Sequence, residues 1–129
     1  YEDEYITDVT NLNSSYLQGQ TPRLRVFARK KNWQPSIYTV ATSEIKPEVI
    51  ESAYYRVSRT VDDMEILPFG TGSYNYTQLS YDVSGNYFEL DTSNFESGYS
   101  YNLQFCYYLQ GSYRQQPEIF KFRVEEDKA

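Results

Sequence analysis

The 129-residue chain contains no histidine and only one cysteine. Without histidine there is neither the usual general base near neutral pH nor the commonest transition-metal ligand, so hydrolytic triads built on histidine are excluded. The single Cys106 cannot form an internal disulfide. No cationic residue shares its strand face at the neighbouring positions, so we expect a reduced, structural thiol rather than a nucleophile.

Long apolar runs are also missing. No stretch approaches the roughly 20 apolar residues that cross a bilayer, and no charged start precedes an apolar signal region. We therefore expect no membrane insertion. No window repeats apolar residues at helical spacing over three turns. The chain does contain fifteen tyrosines and seven phenylalanines, which suit a half-buried pleated surface, and this predicts an all-β fold.

Basic residues are the minority among the charges. Twelve Lys and Arg stand against eighteen Asp and Glu, which leaves a net charge of -6. The molecule as a whole should repel polyanions, so we expect no nucleic-acid partner. The length is that of one domain, and we expect a single sandwich over residues 1–129. Because the sequence begins at Tyr1 rather than methionine, we expect a fragment of a longer chain.

The most informative stretch is a turn followed by a long alternating run. Phe95 and the Ser97–Gly98 pair precede large residues at every second position. These are Tyr99, Tyr101, Leu103, Phe105, Tyr107 and Leu109. In two-sheet sandwiches a tyrosine just after such a corner turns its hydroxyl back to the upstream backbone and holds the crossover between sheets. Tyr101 is the candidate for that role.

Alternation between turn residues predicts the other strands, and with them an antiparallel β-sandwich of seven to nine strands. The predicted strands are Tyr5–Thr10, Arg23–Lys31, Ser36–Thr42, Ala53–Thr60, Glu65–Phe69, Gln78–Asp82, Asn86–Asp91 and Ile119–Glu125. The predicted inward residues are Leu24, Val26, Ala28, Ala53, Tyr55, Val57, Leu79, Tyr81, Phe88, Leu90, Phe120, Phe122 and Val124. A helical turn is predicted over Pro47–Ile50, and a hairpin loop over Gln110–Pro117.

One predicted strand carries a stripe of cations. Successive side chains of a strand point to opposite faces, so Arg23, Arg25, Arg29 and Lys31 lie opposite the apolar residues. Two interpretations are open: the stripe docks on an acidic or phosphate-bearing partner, or it is a solvated face matched by acids on neighbouring strands. The acidic balance of the chain favours the second.

Four aromatic residues lie in predicted turns and loops: Trp33, Tyr74, Tyr76 and Tyr113. An exposed Trp33 would stack on a sugar ring or anchor in a partner's pocket, although a tryptophan that caps the core is favoured. The loop that holds Tyr74 and Tyr76 resembles a binding loop, and equally an ordinary sandwich connection. With the four cations, these aromatics form the candidate binding surface.

No pattern indicates catalysis, a cofactor or a metal. Asp62, Asp63 and Glu65 lie in a predicted hairpin turn rather than a cleft, which argues against glycosidase chemistry. Calcium has dispersed candidate ligands in Asp62, Asp63, Asp82 and Asp91, but no compact loop of alternating acids supports it. We therefore predict a non-enzymatic protein without catalytic, cofactor or metal site.

The corner Phe95–Tyr101 resembles that of fibronectin type III and immunoglobulin-like domains, with Ser97 where proline is common. Five short runs are similar to C-terminal immunoglobulin-like domains of structural proteins in large tailed bacteriophages. They are Tyr54–Val57, Ile66–Phe69, Leu79–Asp82, Gly85–Phe88 and Phe120–Val124.

This resemblance implies an immunoglobulin-like virion component of the capsid, neck or tail. Such a component works through contacts with other virion proteins and is oligomeric through the parent assembly. The alternative is an extracellular module whose Trp33 and tyrosine-rich loops bind carbohydrate or a host surface.

Overall fold

The structure is a computed structural model that describes residues 5–30, 48–70 and 77–126. Within these ranges the chain forms two β-sheets and no helix, which confirms the all-β prediction. A helix long and apolar enough to cross a membrane is accordingly absent from these ranges. Lys31, Trp33, Tyr74, Tyr76 and the predicted strand Ser36–Thr42 lie outside the described residues.

The first sheet has four antiparallel strands in the order β1-β3-β7-β6. They are β1 (Tyr5–Val9), β3 (Arg23–Lys30), β6 (Ser80–Asp82) and β7 (Gly85–Glu89). Leu24, Val26 and Ala28 on β3 are buried, as alternation predicts. The arginines between them therefore lie on the outer face of this sheet.

The second sheet has six strands and is organised around the longest one, β8. They are β2 (Ser15–Leu17), β4 (Ala53–Arg59), β5 (Glu65–Leu67), β8 (Tyr99–Leu109), β9 (Ser112–Gln115) and β10 (Phe120–Glu125). The order is β2-β10-β8-β4-β5, and β9 pairs with β8 beyond the end of β10. β2 lies parallel to β10, whereas the other pairs are antiparallel.

The inward face of β8 forms the centre of the core. Tyr101, Leu103, Phe105 and Tyr107 are all buried. The ring of Tyr101 stacks on the ring of Phe95 at 5.1 Å and on that of Phe122 at 5.7 Å. Removing such a ring from water contributes roughly 1.5–3 kcal/mol, so this stack is a main source of stability.

The predicted role of Tyr101 is confirmed. Its hydroxyl donates a hydrogen bond to the carbonyl oxygen of Glu96 at 2.6 Å. The turn in between depends on Gly98, whose φ of 86° is a conformation that glycine adopts without a steric penalty. The N–H of Gly98 donates to the carbonyl of Val124 at 2.7 Å, so the corner is also bound to β10.

Tyr81 was predicted to face inward with the core residues, but it is half exposed rather than buried. Its register partner is the buried Asn86, so Tyr81 does lie on the inner side of the sheet. However, β6 is a three-residue edge strand. The chain just before it belongs to the other sheet, where the Leu79 N–H donates to the carbonyl of Ala53 at 2.8 Å. The second layer therefore does not cover Tyr81.

Ten strands are present in the described residues rather than seven to nine, because two short strands, β2 and β9, form where no strand was predicted. The predicted loop Gln110–Pro117 contains β9. Gln110 and Gly111 both have positive φ values, 52° and 82°, as a tight two-residue hairpin turn requires. That turn folds residues 112–115 back onto β8. The other unforeseen strand, β2, lies between the predicted strands Tyr5–Thr10 and Arg23–Lys31.

The predicted helical turn before β4 is wrong over residues 48–50, which are not helical. This segment is instead bound to the first sheet. The N–H of Glu48 donates to the carbonyl of Ala28 at 2.7 Å. The buried side-chain amide of Asn86 bonds both the N–H and the carbonyl of Ile50, at 2.9 and 2.7 Å. Hydrogen bonding to an existing sheet thus replaces the local helical bonds.

Candidate functional site

The sandwich separates the candidate binding residues that the structure describes. Arg23, Arg25 and Arg29 lie on the outer face of the four-stranded sheet. On β8, Tyr107 points into the core, so the next residue, Tyr108, points outward. Tyr113 is paired with Tyr108 and therefore also lies on the outer face of the six-stranded sheet. The predicted single surface is therefore two surfaces on opposite sides of the sandwich.

The first surface, the arginine face, consists of Arg23, Arg25, Asp82, Tyr87 and Glu89. Arg25 donates to both carboxylate oxygens of Asp82, at 2.8 and 3.2 Å. Arg23 donates to Glu89 at 3.3 Å. The hydrogen bond from Arg25 holds the pKa of the Asp82 carboxyl below its usual range. Two cations of the predicted stripe are therefore matched by acids on β6 and β7, which is what the solvated-face interpretation predicts.

Tyr87 fixes the same two arginines in place. The guanidinium carbons of Arg23 and Arg25 lie 4.9 and 5.2 Å from the centre of its ring. Contacts of this kind contribute about 0.5–1 kcal/mol at exposed sites. The arginines are thus ordered and close to neutralised, and the arginine face is a poor electrostatic partner for a polyanion. Arg29 lies further along β3, opposite Ile6.

The second surface, the tyrosine face, consists of Tyr54, Tyr108 and Tyr113. The rings of Tyr108 and Tyr113 are 4.7 Å apart and tilted by 56°. Tyr54 is buried beside them, with its ring edge-on to that of Tyr113 at 6.1 Å. Burial raises the pKa of the Tyr54 hydroxyl. The result is an aromatic cluster with one buried member and two members that are about half exposed.

Cys106 lies beneath this cluster, opposite Tyr54 in the register of β8 and β4. The thiol is buried, and burial raises its pKa. A raised pKa disfavours the thiolate, which is the form that attacks electrophiles or binds metals. Cys106 therefore supports the tyrosine face as a packing residue.

Sequence reasoning identified Tyr113 but not its two neighbours on the tyrosine face. Alternation alone assigns Tyr54 and Tyr108 to the outward positions of their strands, so their orientation could be predicted. Their contact with Tyr113 could not, because it depends on the turn at Gln110 and Gly111, which brings Tyr113 onto Tyr108. Without the hairpin, Tyr113 is only one more tyrosine in a polar stretch.

The four acidic residues considered as calcium ligands are dispersed, and three of them are engaged elsewhere. Asp62 accepts from Arg59 at 2.6 Å, and this hydrogen bond lowers the pKa of the Asp62 carboxyl. Asp82 lies in the four-stranded sheet, where it accepts from Arg25 at 2.8 Å. Asp91 caps its own turn by accepting from the hydroxyl of Ser93 at 2.7 Å. Within the described ranges, no three His, Cys, Asp or Glu side chains form a group that could hold a metal ion.

Comparison of the chain with protein-family models, with curated proteins and with solved structures gives no match. Its function is therefore inferred from its two outer faces and from the resemblances of its corner and of the five short runs given above.

Proposed function

We propose that this chain is a non-enzymatic, immunoglobulin-like virion structural component that mediates protein–protein contacts in a phage particle, in the capsid, neck or tail. The observation that carries the contact function is the tyrosine face. Its partners are other virion structural proteins, and the domain is oligomeric through the parent assembly.

The order of the strands supports the immunoglobulin-like assignment. In such domains strands A, B, E and D form one sheet, and strands C, F and G form the other. Here β1-β3-β7-β6 follows the order A-B-E-D, and β4-β8-β10 follows C-F-G. On this assignment the hydroxyl of Tyr101 closes the corner between strands E and F, which is where such domains place their corner tyrosine.

The chemistry of the tyrosine face suits a protein partner. Tyrosine is enriched in the cores of protein interfaces, because its ring buries a large area while its hydroxyl keeps a polar contact. The packing of Tyr113 against Tyr54 and Tyr108 holds the exposed rings in place before a partner binds, which lowers the entropic cost of association. The 56° tilt between the two exposed rings does not offer the flat platform on which a sugar ring stacks.

The virion location is supported by the sequence resemblance to phage immunoglobulin-like domains. An assembly role also agrees with the electrostatics. The arginine face is close to neutralised by its own acids, so the attraction that the face offers a partner comes from packing rather than from charge.

A pair of tyrosine substitutions tests the proposal. We expect Tyr108→Ser combined with Tyr113→Ser to reduce incorporation of the protein into particles, because both exposed rings are lost. The matched control is Tyr81→Ser, since Tyr81 and Tyr113 are each 51% exposed but lie on different sheets. Incorporation is measured by quantitative mass spectrometry of purified particles. Absence of the native chain from particles, or equal incorporation of the double variant, would contradict the proposal.

The alternative is an extracellular module that binds carbohydrate or a host surface. The cavity described below, which has a polar rim around an aromatic floor, favours it. The aromatic residues predicted from the sequence to bind the sugar, Trp33, Tyr74 and Tyr76, lie outside the described residues. A glycan array that compares the native chain with Trp33→Ala tests their role, because sugar binding that disappears in the variant would favour the alternative.

A further inference from the structure

A cavity of about 330 Å³ opens at the rim of the sandwich where β6 begins. β6 pairs with β7 only from Ser80 onward, opposite Tyr87. Just before Ser80 the chain has crossed to the other sheet, where the carbonyl of Thr77 accepts from the N–H of Tyr55 at 3.0 Å. In the described part of the chain, no strand lies beside Phe88 and Glu89 on this side of β7. The crossover thus leaves a notch between the two layers.

The floor of the notch is aromatic. Tyr55 from β4 and Phe88 from β7 line it, and their rings are stacked with centroids 4.3 Å apart. Both residues are buried in the core and show only a small surface to the notch. The floor is therefore rigid, apolar and formed jointly by the two sheets.

The rim is polar and carries hydrogen-bonding capacity that the described residues leave unused. It is lined by Arg23, Gln78, Ser80 and Glu89, all of them exposed. Arg23 donates one hydrogen bond, to Glu89 at 3.3 Å, and a guanidinium has five N–H donors. The amide of Gln78 and the hydroxyl of Ser80 each offer both a donor and an acceptor. Both donors and acceptors thus lie on the rim, above an apolar floor.

The charge of the rim selects the class of ligand. The cation of Arg23 is balanced by the carboxylate of Glu89, so the notch has no net charge with which to favour a phosphate or an ammonium group. Hydroxyl groups that both donate and accept, arranged around a face of C–H bonds, match these features. We propose that this notch binds a neutral saccharide. The site is independent of the tyrosine face and of a virion location, so its failure would leave the proposed function untouched.

The test is an NMR titration of the whole 129-residue chain with the methyl glycosides of glucose, galactose, mannose and N-acetylglucosamine at millimolar concentrations. We expect at least one of them to shift the backbone amides of Gln78, Ser80 and Glu89. Gln78→Ala should weaken binding by roughly two- to tenfold, the effect of one lost hydrogen bond. The matched control is Gln115→Ala, an exposed glutamine on the outer face of the six-stranded sheet, which should leave the affinity unchanged.

A second variant tests the charge argument. Glu89→Gln leaves the cation of Arg23 without its counter-charge, and the variant should gain affinity for methyl glucuronide relative to methyl glucoside. The proposal is overturned if no neutral glycoside shifts the amides of the notch, or if the shifts map to another surface. It is equally overturned if Gln78→Ala and Glu89→Gln both bind as the native chain does.

Discussion

At the residue scale, the hydroxyl of Tyr101 contributes one specific bond to the corner. The ring of Tyr101 is held by stacking, and its hydroxyl donates to the carbonyl of Glu96. We expect Tyr101→Phe to keep the stack, remove the donor and lower the free energy of unfolding by about 1 kcal/mol. Urea denaturation measures the change.

The control for this substitution is two residues away. Tyr99→Phe also removes a hydroxyl, but the ring of Tyr99 is partly exposed and is engaged through its face, with the guanidinium carbon of Arg59 4.7 Å from its centre. Its free energy of unfolding should change little. Equal losses in the two variants would show that the bond to Glu96 contributes nothing specific.

Individual residues also show how far alternation can be trusted. It placed Tyr101 correctly because β8 is paired along both edges and its inward side chains belong to the core between the two sheets. It failed at Tyr81, which has the inward parity but no layer above it. Asn86 illustrates the opposite case: it is polar but buried, because its side-chain amide bonds the backbone N–H and carbonyl of Ile50. Neither outcome can be read from the local pattern, since both depend on which distant segment packs against the residue.

At the scale of single elements, the hairpin of β8 and β9 is what creates the tyrosine face. Gly111 has a φ of 82°, and a Cβ added there would meet no atom within 4 Å. Backbone strain is therefore the only penalty of Gly111→Ala, and the left-handed conformation costs roughly 1–2 kcal/mol for a residue with a Cβ. We expect faster amide hydrogen exchange in Ser112–Gln115, with the pairing of β4 and β8 unaffected.

Gln110, the residue before Gly111, allows the opposite change to be made in the same turn. Gln110 adopts a φ of 52°, so Gln110→Gly should relieve strain and slow the exchange of the same amides. If both variants exchange like the native chain, turn geometry does not control β9. The strand would then be held by its side chains, and the tyrosine face would survive a remodelled turn.

The elements show why the number of strands was underestimated. Long strands such as β3 and β8 carry enough alternating residues to be recognised from the sequence alone. β2 and β9 have three and four residues, too few for a period-2 pattern, and each exists because an edge of the second sheet was open to pairing. The sequence pattern also does not say which strands become neighbours. Whether the predicted cations are paired with acids was therefore decided only by β6 and β7, which place Asp82 and Glu89 beside Arg25 and Arg23.

At the scale of the whole molecule, the absence of histidine and the number of buried tyrosines set the response to pH. Burial raises the pKa of Tyr107 well above its ordinary value, and it raises the pKa values of Tyr54, Tyr101 and Cys106 as well. In each case the folded state retains a proton that the unfolded chain releases at lower pH. Their contribution is therefore complete below the ordinary pKa values and is lost as pH rises through and above them.

We accordingly expect the melting temperature to stay nearly constant between about pH 5.5 and 8, because no side chain of the chain has an ordinary pKa in that window. It should fall above about pH 9, where free cysteine and then tyrosine ionise in the unfolded chain. A single buried tyrosine contributes a slope of at most about 1.4 kcal/mol per pH unit. Scanning calorimetry across the alkaline range measures this slope.

Tyr107→Phe isolates the largest of these contributions. The hydroxyl of Tyr107 is 2.6 Å from that of Thr7, so the variant should be less stable at neutral pH through loss of that bond. Its free energy of unfolding should nevertheless decline less steeply above about pH 10, because one fewer proton separates the folded and unfolded states. An unchanged alkaline slope would mean that Tyr107 ionises in the folded protein as readily as in the unfolded chain. The interior around β8 would then have to admit water and charge, which a core of stacked aromatic rings does not allow.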